Sequence, residues 1–114
     1  MDFIVLILGS DINAYYMARC YHEQYNEKAY MIGKLEMNFT SYSKIINLEI
    51  YADLQDEISF KRILKNFYMK HRNKKILLIG SNDTYIRLII ENQDYLKRYF
   101  LSLIHISEPT RQAE

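Results

Sequence analysis

A chain of 114 residues, 49% hydrophobic and 25% charged, has the composition of one globular domain and excludes a disordered or fibrous protein. Its 15 basic and 14 acidic residues are spread along the sequence, so we expect no nucleic-acid partner. Cys20 is the single cysteine, which excludes an internal disulfide, and no apolar run is long enough for a signal peptide or a membrane span. We therefore expect a cytoplasmic protein without a membrane partner.

The first predicted element is a strand from Phe3 to Leu8, because this run is wholly apolar and ends at Gly9, as do strands buried on both faces of a parallel sheet. Ser10 or Asp11 can cap the helix predicted next. Apolar and small residues recur there at helical spacing, namely Ala14, Met17, Ala18, Tyr21 and Tyr25. Asn26 lies where a left-handed residue is expected to end that helix.

Two more strands are predicted before the middle of the chain. Lys28 to Ile32 ends at Gly33 and is typical of a second buried strand, whereas Lys44 to Tyr51 alternates apolar with polar residues and indicates a third strand nearer an edge. The segment between them, Lys34 to Ser43, is predicted to be a loop. Its length is near the lower limit for a parallel crossover, so a short helix or an extended excursion there stays open.

The second half of the chain predicts helix, strand and helix in turn. The first helix of this second half has an apolar stripe of Phe60, Ile63, Leu64, Phe67 and Tyr68. Lys75 to Ile79 is an apolar strand that closes at Gly80. The last helix contains Ile86, Ile89 and Ile90, is capped by Ser81, Asn82 or Asp83, and is followed by a helical turn from Tyr95 to Phe100.

The alternation of strands with helices predicts the fold class. It is α/β, a Rossmann-like open parallel sheet with helices on both faces and right-handed crossovers. Because the strand from Phe3 to Leu8 is the most completely apolar one, it should be central, which gives the strand order 3-2-1-4.

The last fourteen residues, 101–114, form a separate unit. Leu101 to Arg111 reads LSLIHISEPTR, which resembles the translation of a sequencing-library transposase adapter over eleven consecutive codons. We therefore expect a non-native tail that is excluded from fold reasoning, with the domain confined to residues 1–100 and cut off before its natural end. The apolar residues Leu101, Leu103, Ile104 and Ile106 can nevertheless pair opportunistically as an edge strand.

Known nucleotide motifs do not fit the turns that end the strands. The spacing G-x-G-x-x-G fails after Gly9, no acidic residue closes the second strand, and no G-x-x-x-x-G-K-[ST] is present. Asp53 is an isolated candidate for a phosphoacceptor, without the acidic cluster or late lysine of a receiver domain. His22 and His71 lie among polar residues and are expected to be exposed to solvent.

Two strand-end turns are the candidate binding site. In the order 3-2-1-4 they face one crevice at the topological switch point, where ligands of open α/β sheets bind. Each precedes a helix whose free N-H groups suit a carboxylate or phosphate. Helix capping alone is the competing interpretation, and we expect it for at least one of the two aspartates. The candidate substrate-binding residues are Gly9, Ser10, Asp11, Gly80, Ser81, Asn82 and Asp83.

Four strings occur in the order and spacing of a known family. GSDINAYYMAR (9–19), YSKI (42–45), LLIGSNDTY (77–85) and YF (99–100) resemble the N-terminal, pre-ATP-grasp domain of ATP-grasp carboxylate-amine ligases, the group that includes bacterial D-aspartate ligases. The chain departs from the family at Asn26 and Asn82, where glycine is common, and at Asn38 to Thr40, which lacks a proline. Both asparagines can adopt the left-handed conformation.

The resemblance implies a ligase that phosphorylates a carboxylate with MgATP and transfers the acyl group to an amine. Its ATP and Mg²⁺ ligands lie in domains absent from this chain, so it implies no catalytic, metal or cofactor residue here and an inactive chain. The expected partners are small carboxylate and amine substrates and the missing ATP-grasp domains. The alternative function is a small non-catalytic Rossmann-like module for ligand binding or regulation.

Overall fold

The computed structural model describes residues 3–34, 44–100 and, for the backbone alone, 102–104. Strands and helices alternate through most of this part of the chain. In chain order they are β1 (Phe3–Leu8), α1 (Ile12–Tyr25), β2 (Ala29–Gly33), β3 (Ile46–Ile50), α2 (Glu57–Lys70), β4 (Lys75–Gly80), α3 (Asp83–Glu91), α4 (Gln93–Leu96) and β5 (Ser102–Ile104). The segment between β2 and β3, predicted to be a loop, lies almost wholly outside the described residues.

The strands form one sheet in the order β3-β2-β1-β4-β5, and every described pair of neighbours is parallel. The predicted α/β class and the order 3-2-1-4 are therefore confirmed, with β5 added beside β4. Leu8 of β1 pairs with Gly80 of β4, so the two strands end level with each other. This register brings their following turns together.

Strand β1 is buried because both faces of the sheet are covered. Leu6 and Leu8 belong to a core formed mainly with α2 and α3. Val5 and Ile7 belong to a second core on the opposite face, where α1 packs through its alanines. The central position expected for the most apolar strand thus follows from burial on two sides.

The two long helices have the packing that their apolar periodicity predicts. In α2, Phe60, Ile63, Leu64 and Phe67 are buried, while Tyr68 is half-buried. In α1, Ala14, Ala18 and Tyr21 are buried. Small side chains at the first two positions allow α1 to lie close to the sheet. Tyr25 departs from this stripe, with 49% of its surface exposed at the end of the helix.

Asn26 ends α1 in the left-handed region, with φ 56° and ψ 38°, as its position predicts. Its N-H donates to the His22 carbonyl at 2.7 Å, a bond that satisfies one of the terminal carbonyls of the helix.

Strand β5 is the described part of the C-terminal segment, and Leu78 pairs with Leu103. Residues 101 and 105–114 lie outside the described residues, so the foreign origin of the tail stays a prediction. No helix in the described ranges is long and apolar enough to cross a membrane.

Candidate functional site

The two strand-end turns lie side by side at the carboxyl edge of the sheet. The Gly9 N-H donates to the Ile32 carbonyl at 2.8 Å, and the Ser81 N-H donates to the Leu8 carbonyl at 3.0 Å. These bonds continue the parallel ladder for one residue beyond β1 and β4. Each turn is consequently fixed to the strand beside it, and the helices α1 and α3 start next to each other.

Asp11 and Asn82 join the starts of these two helices. One carboxylate oxygen of Asp11 accepts from the Ala14 N-H at 2.9 Å, and the other accepts from the Asn82 side-chain amide at 3.0 Å. The Asn82 amide oxygen accepts from the Tyr85 N-H at 3.2 Å. Asp11 therefore caps α1, as expected for at least one aspartate, and Asn82 is the cap of α3 among the three residues considered for that role.

The backbone of Asn82 differs from the expectation that it can be left-handed. Its φ is −151° and its ψ is 176°, which is extended. An N-cap residue requires an extended backbone so that its side chain can turn back onto the first helical N-H groups. Of the two asparagines at positions where glycine is common in the family, only Asn26 is left-handed.

Gly9 and Ser81 are in van der Waals contact across the two turns. Gly9 has a φ of +115°, and a Cβ at this position would collide with the Ser81 hydroxyl. Ser81 is only 5% exposed, and its Oγ has no hydrogen-bond partner among the described residues. A buried hydroxyl without a partner is uncommon in folded proteins, which makes Ser81 a candidate for contact with a ligand.

Ser10 does not line the cavity described below and contacts the end of β2 instead. It is buried, and a Cβ on Gly33 would approach the Ser10 hydroxyl oxygen to 2.6 Å. The end of β2 therefore packs directly on Ser10.

A cavity of about 520 Å³ opens between the starts of α1 and α3. Four of the seven candidate residues line it, whereas Gly9, Ser10 and Asp11 do not. The lining residues are Asn13, Tyr16, Met17, Gly80, Ser81, Asn82, Asp83 and Ile86. We call this the carboxyl-edge cavity.

Sequence reasoning missed the wall that α1 contributes. Asn13, Tyr16 and Met17 occur at i, i+3 and i+4, the spacing of a single helix face. Met17 packs partly against the core, as its place in the apolar stripe predicts, and also lines the cavity, whereas Tyr16 is 53% exposed. The signal available in the sequence was Tyr16 itself, a tyrosine near the helix start that lies outside the apolar stripe.

The chemistry of the carboxyl-edge cavity is mixed. Its polar side combines the start of α3, the Ser81 turn and the exposed Asp83 carboxylate, whereas Tyr16, Met17 and Ile86 form an apolar side. A helix start attracts carboxylates, and an unpaired aspartate attracts an ammonium group. The arrangement can hold a molecule that carries both groups on a hydrocarbon frame.

Comparison with known proteins gives one informative match. The chain is 35% identical over 104 residues to a D-aspartate ligase of Enterococcus faecium, a match that covers 88% of this chain and 24% of that protein. The chain resembles part of a ligase. It spans about a quarter of the length of that relative. No protein-family model and no solved structure matches the chain.

Two of the three histidines, His22 and His71, lie in the described part of the chain, and neither lines the carboxyl-edge cavity. His71 is half-buried, with its ring centroid 4.7 Å from that of Tyr30 and 4.4 Å from that of Phe67, so the expected solvent exposure is wrong for this residue. Burial lowers the pKa of His71, and the nearby Lys70 charge lowers it further. His22 is also only half-exposed, and its Nδ1 lies 3.3 Å from the Glu27 carbonyl oxygen.

Acidic and metal-ligating side chains do not cluster in the described residues. Within these ranges no group of three or more His, Cys, Asp or Glu residues is placed to hold a metal ion.

Proposed function

We propose that this chain is the N-terminal, substrate-side domain of an ATP-dependent ligase of the ATP-grasp type. The parent protein activates a carboxylate as an acyl phosphate and joins it to an amine. The similarity to D-aspartate ligase over 88% of the chain carries the proposal. D-aspartate is accordingly the first carboxylate substrate to test.

The carboxyl-edge cavity supports a role in binding substrate. It lies at the switch point between β1 and β4, where ligands of open α/β sheets bind. In the proposed role, the Ser81 hydroxyl donates to a substrate carboxylate beside the start of α3. Asp83 pairs with a substrate ammonium group, because it is exposed at the cavity and does not serve as the cap of its own helix.

Asp11 has a supporting part in this proposal. Both of its oxygens already accept hydrogen bonds, one from its own helix and one from Asn82. These two bonds turn the charge of Asp11 away from an anionic substrate. They also hold the two helix starts at a fixed separation. Such positioning of binding groups is a general requirement of substrate sites.

ATP and Mg²⁺ are proposed to bind to other domains of the parent protein. Phosphoryl transfer requires positioned phosphate and metal ligands, and the described residues contain no group of three or more His, Cys, Asp or Glu side chains that could hold a metal ion. The part of the reaction assigned to this chain is therefore recognition of the carboxylate or amine.

The test begins with the gene beyond codon 100. We expect a few hundred further residues with a glycine-rich loop and late acidic metal ligands, and the purified full-length protein should release ADP when given MgATP, D-aspartate and an amine acceptor. Omission of D-aspartate, and its replacement by L-aspartate, are the controls. A reading frame that ends near residue 100 would instead favour the small non-catalytic module. A full-length protein whose ADP release does not depend on any amino acid would contradict the ligase proposal.

A further inference from the structure

A second cavity lies at the opposite edge of the sheet, where β4 begins. It has a volume of about 360 Å³ and is formed by the end of α2, the start of β4 and the turn after α4. Among the described residues, five basic ones line it and no acidic one does. These are Arg72, Lys74, Lys75, Lys97 and Arg98. We call this the basic cavity.

The arginines of the basic cavity differ from those elsewhere in the described part of the chain. Arg19, Arg62 and Arg87 each lie within 4.0 Å of a carboxylate oxygen. Arg72 and Arg98 have no such partner among the described residues, and both line the basic cavity. Their guanidinium groups are therefore available to an anion from outside.

Charge on the described lining of the basic cavity has one sign. The whole chain has a net charge of only +1, yet five basic residues line this small concave surface. A concave surface with one sign of charge concentrates the field of its groups. Such a field attracts an anion with several charges more strongly than a single carboxylate.

The base of the basic cavity is fixed by packing. The rings of Tyr68 and Tyr99 lie 4.9 Å apart, and Phe100 is 4% exposed. The N-H groups of Tyr99 and Phe100 donate to the Leu96 carbonyl at 3.0 and 2.9 Å. The turn that carries Arg98 is thus held in place, which lowers the entropic cost of binding a ligand there.

We propose that the basic cavity binds a small ligand with adjacent phosphate groups, a diphosphate or a triphosphate. Guanidinium groups bind phosphate oxygens through paired N-H donors, and lysines add point charges around them. The volume of about 360 Å³ lies at the small end of the range for ligand sites, which fits an oligophosphate. This site is separate from the carboxyl-edge cavity, so the proposal does not depend on the ligase function.

Titration of the full 114-residue chain with inorganic triphosphate tests the proposal. The double variant Arg72→Gln/Arg98→Gln should bind triphosphate at least about tenfold more weakly, since it loses both guanidinium forks. The matched control Arg19→Gln/Arg87→Gln removes the same charge from exposed sites elsewhere and should change the Kd by less than about twofold. All of these side chains are exposed, so both variants should keep the thermal unfolding midpoint of the wild type.

Binding measurements with further ligands identify the chemical group that the basic cavity recognises. ATP should bind about as tightly as triphosphate, and orthophosphate clearly more weakly, because adjacent phosphates are the recognised feature. Ser81→Ala should leave triphosphate binding unchanged, which separates this site from the proposed substrate site. Absence of saturable triphosphate binding, or an equal loss in both double variants, would overturn the proposal. Tighter binding of a single-stranded RNA oligonucleotide than of triphosphate would also overturn it.

Discussion

Single residues at the contact between the two turns determine whether the carboxyl-edge cavity can form. Gly9 adopts a φ of +115°, a region that side chains strongly disfavour, and it leaves room for the Ser81 hydroxyl. That hydroxyl is buried and has no partner among the described residues. An unpaired buried hydroxyl lowers stability, which is consistent with the proposed part of Ser81 in binding a ligand.

We expect Gly9→Ala to lower the free energy of unfolding by roughly 2 to 4 kcal/mol, because a methyl group adds both backbone strain and a clash with Ser81. Ser81→Ala should change it by less than about 1 kcal/mol, or raise it, because no hydrogen bond is lost. The double variant should recover part of the Gly9→Ala loss, since the clash disappears and the positive φ remains. Urea unfolding measures all three. A Ser81→Ala loss as large as that of Gly9→Ala would show that the hydroxyl is a structural group.

The cap residues at the helix starts connect the sequence most directly with the candidate site. Asp11 and Asn82 each cap a helix, and they also bind each other, so the starts of α1 and α3 are coupled. Capping by Asp11 was predictable from sequence, because aspartate before an apolar helical stripe is a frequent start signal. The bond between Asp11 and Asn82 was not predictable, because it depends on the register that pairs Leu8 with Gly80.

Asp11→Ala and Asn82→Ala should each lower the free energy of unfolding by about 1 kcal/mol, the usual effect of losing a cap. The double variant should lose about 0.5 to 1 kcal/mol less than the sum, because both single changes remove the same hydrogen bond. Asp56→Ala is the matched control. Asp56 caps α2 and its effect should add to that of Asn82→Ala. Full additivity for Asp11 with Asn82 would contradict the coupling.

At the left-handed end of α1, unlike at the caps above, one substitution is predicted to raise the free energy of unfolding. Asn26→Gly should raise the free energy of unfolding by about 0.5 to 1 kcal/mol, because glycine adopts a φ of 56° without steric cost. Asn26→Ala should lower it by about 1 kcal/mol. Chemical denaturation of the two variants beside the wild type measures both changes. A destabilising glycine at this position would mean that the Asn26 side chain, and not its backbone, holds the end of the helix.

At the scale of the whole molecule, the sheet was the most predictable feature. The apolar run of β1 predicted a central strand, and the alternation in β3 predicted an edge strand. A strand buried on both faces is apolar throughout, whereas a strand with one exposed face alternates apolar with polar residues. The basic cavity has no corresponding pattern in the sequence. Arg72 and Arg98 are distant in sequence, and they meet only because the end of α2 and the turn after α4 converge at the start of β4.

The chain by itself should not hydrolyse ATP or form amide bonds. In the described residues no group of three or more His, Cys, Asp or Glu side chains could hold a metal ion, and phosphoryl transfer depends on positioned metal ligands. ADP formation by the purified chain, with magnesium, D-aspartate and candidate amines present, should equal that of a control without protein. Release above that control, lost on heat denaturation of the sample, would show that this domain catalyses phosphoryl transfer by itself.

Steady-state kinetics of the full-length protein test the central claim, that the carboxyl-edge cavity binds a substrate of a ligase. Ser10→Ala and Asp83→Ala should raise the KM for the carboxylate or amine substrate by about tenfold and leave the KM for ATP within about twofold. Of the two, Asp83 lines the cavity directly, so its effect should be the larger. Asp56→Ala, which removes the cap of α2 and does not line the cavity, should change neither constant. Equal changes in both constants, or wild-type kinetics with lowered stability alone, would contradict the account and make these residues structural.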